Sequence, residues 1–236
     1  MASRNATFAD GVFIRVLLAP LKLLVGLGIG LLVVLLTAWL VDVLCVRFVW
    51  SGGLEHLKAI LTTDYARGVA LAAMQGGSSQ AISDPANLLY RVLFEFSGIH
   101  EMGLRFANPA ALSIPDTVAR ANYIAGYQVI ETAMVATQLV GVRLATLFRF
   151  LPLITLIYVV AITDGLAERQ IRVWSAGLES SNLYHRAKYL QASSWISGTV
   201  TIAVWPAALD MRPAVALLLA AGILARIQMK YYKKYP

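Results

Sequence analysis

"LLVGLGIGLLVVLLTAWLV" fills residues 23–41, between Lys22 and Asp42, and its 19 residues carry no charge. As a helix rising about 1.5 Å per residue it covers about 30 Å, the hydrocarbon thickness of a bilayer. The whole chain has the same character. Of its 236 residues 58% are hydrophobic and only 14% are charged, and the mean hydropathy is +0.67. Soluble domains hold about 45–50% apolar and about 25% charged residues. The composition points to an integral membrane protein and away from a soluble one. About twenty residues precede the run and no small-residue cleavage pattern follows it, so it reads as a retained anchor.

Working outward, the next long uncharged stretch is 189–209, 21 residues between Lys188 and Asp210. Two shorter runs, 150–163 and 213–225, reach spanning length if Arg149 and Arg226 extend their charges to protein or to the interface. Four spans put both termini on one side. The segments 1–22, 165–188 and 226–236 then hold eleven Lys and Arg against three acidic residues, whereas 47–143 holds seven of each. That bias favours cytoplasmic termini and a large outer segment. The competing topology has a fifth span within 123–142.

A polar stripe bears on that choice. Thr117, Arg120, Gln128, Glu131, Gln138, Thr146 and Arg149 fall within about 80° on a helical wheel. The pattern predicts one helix from about 116 to 163, entering the membrane from outside and bent at Pro152. Its stripe faces water, a neighbouring helix or a cavity. Two more outer helices are expected. One covers 54–75 with Leu54, Leu57, Leu61, Tyr65, Gly68 and Ala72 on one face. The other covers 85–104, capped by Asp84 and opened by Pro85. No strand-like alternation is sustained. The expected fold is all-α, with about four transmembrane helices and a helical periplasmic cap. Its parts are the N-terminus and first span (1–50), the periplasmic region (51–143), the second span (144–164), a basic cytoplasmic elbow (165–188), a transmembrane hairpin (189–229) and a basic tail (230–236).

Chemistry-bearing motifs are sparse. "GLGIG" lies inside a spanning helix, where Gly26 and Gly30 suit close helix packing and not a nucleotide loop. The single cysteine, Cys45, and the dispersed His56, His100 and His185 show no metal-site spacing, and no cofactor is expected. Asp42 stands at the outer end of the first span. In the elbow, "DGLAERQIRVWSAGLESSNLYHRAKYL" (164–190) reads as helix, break, helix. Asp164 would cap the first helix and Gly177 would end it. Ser180 or Ser181 beside His185 forms no known nucleophile motif. The expected contact surface comprises Arg169, Arg172, Trp174, Tyr184, His185, Arg186 and Lys188, joined by Lys230, Lys233 and Lys234 of the tail. Within it Arg172 and Arg186 stand out, because each has an aromatic within two residues.

The Asp164–Gly165 start, Arg169, Arg172, Gly177, Glu179, Ser180 and the 184–188 block "YHRAK" resemble a family of membrane proteins of bacterial integrating conjugative elements. The preceding Pro-containing apolar run and the N-terminal span resemble it too. The resemblance runs from the first span to the last. It implies a bacterial inner-membrane protein encoded in a conjugative-transfer region, near the coupling ATPase that feeds a type IV secretion channel. It implies no activity. The resulting expectation is a non-enzymatic subunit or assembly factor of the transfer apparatus. Its partners would be lipid, the coupling ATPase or other transfer subunits, and a homo-oligomer fits the glycine pair. Direct nucleic-acid contact is not expected. The alternative is a small membrane enzyme or transporter using Asp42, Glu131 or His185.

Overall fold

A computed structural model describes residues 2–107, 114–175 and 181–232. All regular elements among them are helical. The order is α1 (Ala2–Leu44), a π-helical turn (Cys45–Val49), α2 (Gly53–Met74), α3 (Gln80–Tyr90), a second π-helical turn (Arg91–Glu95), α4 (Ile99–Ala107), α5 (Ile114–Arg149), α6 (Leu151–Trp174), α7 (Ser181–Val204) and α8 (Met211–Lys230). Among the described residues four stretches are long and apolar enough to cross a membrane: Ala19–Val49, Val129–Arg149, Leu151–Trp174 and Met211–Lys230. Their number matches the sequence reading, but their membership differs. Val129–Arg149 is among them. The uncharged 189–209 stretch falls on α7, which ends at Val204, and on the turn after it; α7 is not among the four, since Gln191, Ser193, Ser194, Ser197, Thr199 and Thr201 dilute its apolar character.

Two tiers follow from the packing. The first gathers α2, α3 and the end of α1 around α5. Val46, Leu57, Ile60, Val135 and Leu139 form one buried cluster. Ala72, Ile82, Ala86, Val142 and Ala145 form a second. The face foreseen for α2 is the one buried, with Leu57, Gly68 and Ala72 inward. The second tier is α6, α7 and α8. Here α6 and α8 pack closely, and the Tyr158 hydroxyl accepts from Trp195 Nε1 at 2.6 Å and Gln191 Nε2 at 2.7 Å. A third cluster, Val34, Leu35, Ala38, Val140 and Ala203, joins the tiers.

Three local expectations are corrected. First, the single helix bent at Pro152 is two helices parted at Phe150. Pro152 has no N–H to donate, and it sits in the first turn of α6, where none is required. Second, α3 begins at Gln80, so Asp84 is not its cap and Pro85 lies inside. Burial of Ile82 and Ala86, one helical turn apart, draws the start forward. Third, Asp164 caps nothing, because α6 runs through it to Trp174. Its carboxylate turns sideways to Arg226 of α8. Gly177 lies outside the described residues.

The close approaches are made at glycines other than the foreseen pair. A Cβ on Gly165 would stand 2.6 Å from the Arg226 carbonyl oxygen, and one on Gly141 would stand 2.5 Å from Ala86 Cα. A Cβ on Gly26 or Gly30 would meet nothing within 4 Å. Gly165→Leu and Gly141→Leu should each cost about 1–3 kcal/mol through overpacking. That would lower the thermal midpoint of the purified chain in detergent by several degrees, with Gly26→Leu unchanged. An assembly defect confined to Gly26→Leu or Gly30→Leu would place another helix on that open face.

Candidate functional site

Two polar centres stand out, at opposite ends of α7 and α8. The first lies where the tiers meet. Arg143 of α5 is 1% exposed and donates from Nε to Asp64 Oδ2 of α2 at 2.8 Å. Its other nitrogens reach the backbone that connects α7 to α8. Nη1 donates to the Trp205 carbonyl at 2.6 Å and to that of Ala203 at 3.4 Å, and Nη2 donates to that of Ala207 at 2.7 Å. Asp64 Oδ1 accepts the Leu209 N–H at 2.7 Å, and Arg67 donates to the Leu209 carbonyl. Pro206 ends α7, and Asp210 caps α8 by accepting the Arg212 N–H at 3.0 Å. Asp42 is also buried here, within the field of Arg143.

The foreseen stripe on α5 is divided. Glu131 pairs with Lys58 at 3.0 Å. The hydrogen bond to Glu131 first, then the one to Glu55, holds the Lys58 ammonium above the usual lysine range. Gln138 lines a hollow of about 250 Å³ with Leu61, Tyr65, Ser83 and Asn87. The Arg149 carbonyl accepts from Gln75 Nε2 at 2.8 Å. Arg120 is half-buried, and its Nε has no hydrogen-bond partner. The Gln128 side chain lies outside the described residues. Asp42, Glu131 and His185 are not brought together. Each histidine instead lies against an aromatic ring: His56 on Trp50, His100 on Tyr90 and His185 on Tyr184. Among the described residues no group of three or more His, Cys, Asp or Glu converges.

The second centre is the far end of α6, α7 and α8, and here elbow and tail do meet. The Arg172 guanidinium sits 4.1 Å above the Tyr231 ring, and that of Arg169 lies 6.0 Å from the Tyr232 ring. Tyr184 of α7 meets Tyr232 edge to face at 5.8 Å. Three helix ends thus share one aromatic lattice. The acidic groups nearby are occupied among the described residues. Glu168 pairs with Arg226 and, at 2.6 Å, with Lys230, and Asp164 pairs with Arg226. Arg169 Nε and Arg172 Nη2 keep N–H groups with no hydrogen-bond partner. His185, Arg186 and Lys188 are exposed, as is Trp174. Lys233 and Lys234 lie outside the described residues. The cation that stacks is Arg172, and its partner is Tyr231 rather than the sequence neighbour Trp174. The tail "KYYKKYP" reads in sequence as basic and aromatic, but the expected contact surface takes only its lysines and leaves out Tyr231 and Tyr232.

A family model described as DtrJ-like, an IncC plasmid conjugative DNA transfer protein, matches residues 48–229, well over half of the chain. No curated protein matches, and no solved structure matches.

The stacked arrangement has a direct consequence for the tail. A cation–π contact at an exposed site is worth about 0.5–1 kcal/mol. Arg172→Ala and Tyr231→Leu should therefore each speed tryptic cleavage after Lys230 by roughly two- to five-fold. Tyr231→Phe, which keeps the ring, should not. Limited proteolysis with mass spectrometry at unchanged thermal midpoint checks this.

Proposed function

The chain belongs to the DtrJ-like family and so takes part in conjugative DNA transfer, and we propose that it does so as a non-enzymatic inner-membrane subunit or assembly factor. Its basic aromatic end would dock on a cytoplasmic part of the apparatus, the coupling ATPase foremost. One observation carries this reading: Arg169 and Arg172 of α6, Tyr184 of α7 and Tyr231–Tyr232 after α8 build a single surface from three helix ends. Interface anchors are enriched in Arg, Tyr and Trp; this surface holds the first two, and Trp174 stands exposed at the end of α6.

The packing supports a topology. α5 and α6 follow one another with only Phe150 between them, and they do not pack side by side. Together they are far longer than a bilayer is thick. The 129–149 stretch is mostly buried within the chain, as suits the axis of a helical cap. α6 is hardly buried and turns Leu151, Leu156, Val159 and Val160 outward, as suits a helix in lipid. In this topology α1, α6, α7 and α8 span the membrane, residues 51–115 lie in the periplasm, and both termini with 165–188 lie in the cytoplasm. The Lys and Arg bias agrees with that orientation.

Two measurements test the proposal. Cysteine labelling in a Cys45→Ser background should show position 181 reactive only from the cytoplasm. Labelling from the periplasm there overturns the topology. In donor cells, Arg172→Ala and Arg169→Ala should lower DNA-transfer frequency far more than Lys188→Ala at equal membrane abundance, since charges at the centre of a docked surface outweigh those at its rim. If only lipid meets the surface, each charge adds a similar increment of about 1 kcal/mol and the losses are graded. An even loss across all positions would contradict docking.

A further inference from the structure

The basic end carries an apolar feature that attraction to charge alone does not need. α6 continues past the Asp164 and Glu168 pairs to its C-terminal turn, where Trp174 is 83% exposed and Ile171 and Val173 are exposed too. Ile171 and Trp174 are three residues apart, so they share a face. With Gln170 and Ser175 they line an open hollow of about 400 Å³. Arg172 lies between them in sequence, its guanidinium carbon 4.1 Å from the centre of the Tyr231 ring. Among the described residues, the carboxylates of this end, Asp164 and Glu168, are matched by Arg226 and Lys230, which leaves Arg169, Arg172, Arg186 and Lys188 as surplus positive charge.

We infer that this end receives an acidic, amphipathic segment of a protein partner. An aliphatic or aromatic side chain of that segment seats against Ile171 and Trp174, and its carboxylates meet Arg172 and Arg169. This rests on the docking reading above and adds the chemistry of what docks. Charge complementarity selects carboxylates over basic or neutral groups. A guanidinium held over a ring presents directed N–H donors, which suit a carboxylate's oxygens better than a lysine's point charge does. The hollow beside it asks for an apolar anchor within reach of the same segment. A bilayer surface would use the cations but would leave the pairing of hollow and guanidinium without a role.

The test uses the full chain in nanodiscs of neutral phosphatidylcholine. The probe is a synthetic helical peptide with Glu on one face and Leu and Phe on the other. Matched peptides carry Gln for every Glu, or Ser for every Leu and Phe. Vesicles containing phosphatidylglycerol are the competing ligand. Both altered peptides should bind at least about ten-fold more weakly than the parent, and Trp174→Ser and Arg172→Ala should each weaken the parent by a similar factor. Lys188→Ala should change little. If Arg172→Ala weakens binding while Trp174→Ser and the Ser peptide do not, the surface docks by charge alone. The inference then fails while the docking reading stands. If the vesicles bind through Arg172 and the peptide neither binds nor competes, the occupant is lipid, and both fail.

Discussion

A guanidinium with 1% exposure in apolar surroundings is the constraint from which the rest follows. Moving a charge out of water costs several kcal/mol even after relaxation, and only complete pairing offsets it. Arg143 meets that demand with one carboxylate and three backbone carbonyls. Those carbonyls are the ones that the end of α7 and the following turn cannot satisfy themselves. Asp64 completes the exchange by taking the Leu209 N–H. The pair therefore does more than neutralise itself. It supplies hydrogen-bond partners to a turn that Pro206 keeps from being helical, and it ties that turn to α2 and α5. Replacing such a pair with apolar residues can leave stability unchanged, so its distinctive contribution is to define where the α7–α8 hairpin sits.

With the hairpin fixed at one end, its other end becomes a defined place. α8 runs down against α6, held by the close approach at Gly165 and by Arg226 with Asp164 and Glu168. That clasp brings Tyr231 and Tyr232 beside Arg172 and Arg169. The basic aromatic surface is thus assembled by helix packing, and not by the local conformation of the elbow. Family membership places the chain in conjugative DNA transfer. A surface built from three helix ends suits a component that must present a fixed face to other subunits.

Much of this was legible in the sequence, and what was hidden had a physical reason. Apolar length and 3.6-residue periodicity are local signals, so the all-helical membrane class, the first span and the inward face of α2 could be read directly. Pairing at long range is not local. Arg143 and Asp64 are 79 positions apart, and periodicity pairs neither with the other. A trace existed, since Asp64 falls about 20° from Leu57 on the apolar face of α2, and Arg143 about 60° outside the polar stripe of α5. Each was a charge where none belongs, and two such charges of opposite sign call for one another. The end of α6 shows the opposite case. Asp164 looked like a cap because caps are read from neighbours, while Arg226, 62 residues on, took its carboxylate. The elbow and tail were expected to meet, and they do, but through tyrosines that their own charges had overshadowed.

The coupling of the two tiers through Arg143 and Asp64 is most directly measured by hydrogen–deuterium exchange of the full chain in nanodiscs, read over residues 203–209. Asp64→Ala frees the Leu209 N–H and leaves Arg143 unpaired. Arg143→Lys keeps the charge but loses the fork that reaches several carbonyls at once. The expected result is faster exchange across 203–209 in both variants, with residues 214–225 of α8 protected as in the unaltered chain. Unchanged protection of 203–209 in both variants would contradict the account, because the turn would then be held by something other than this pair.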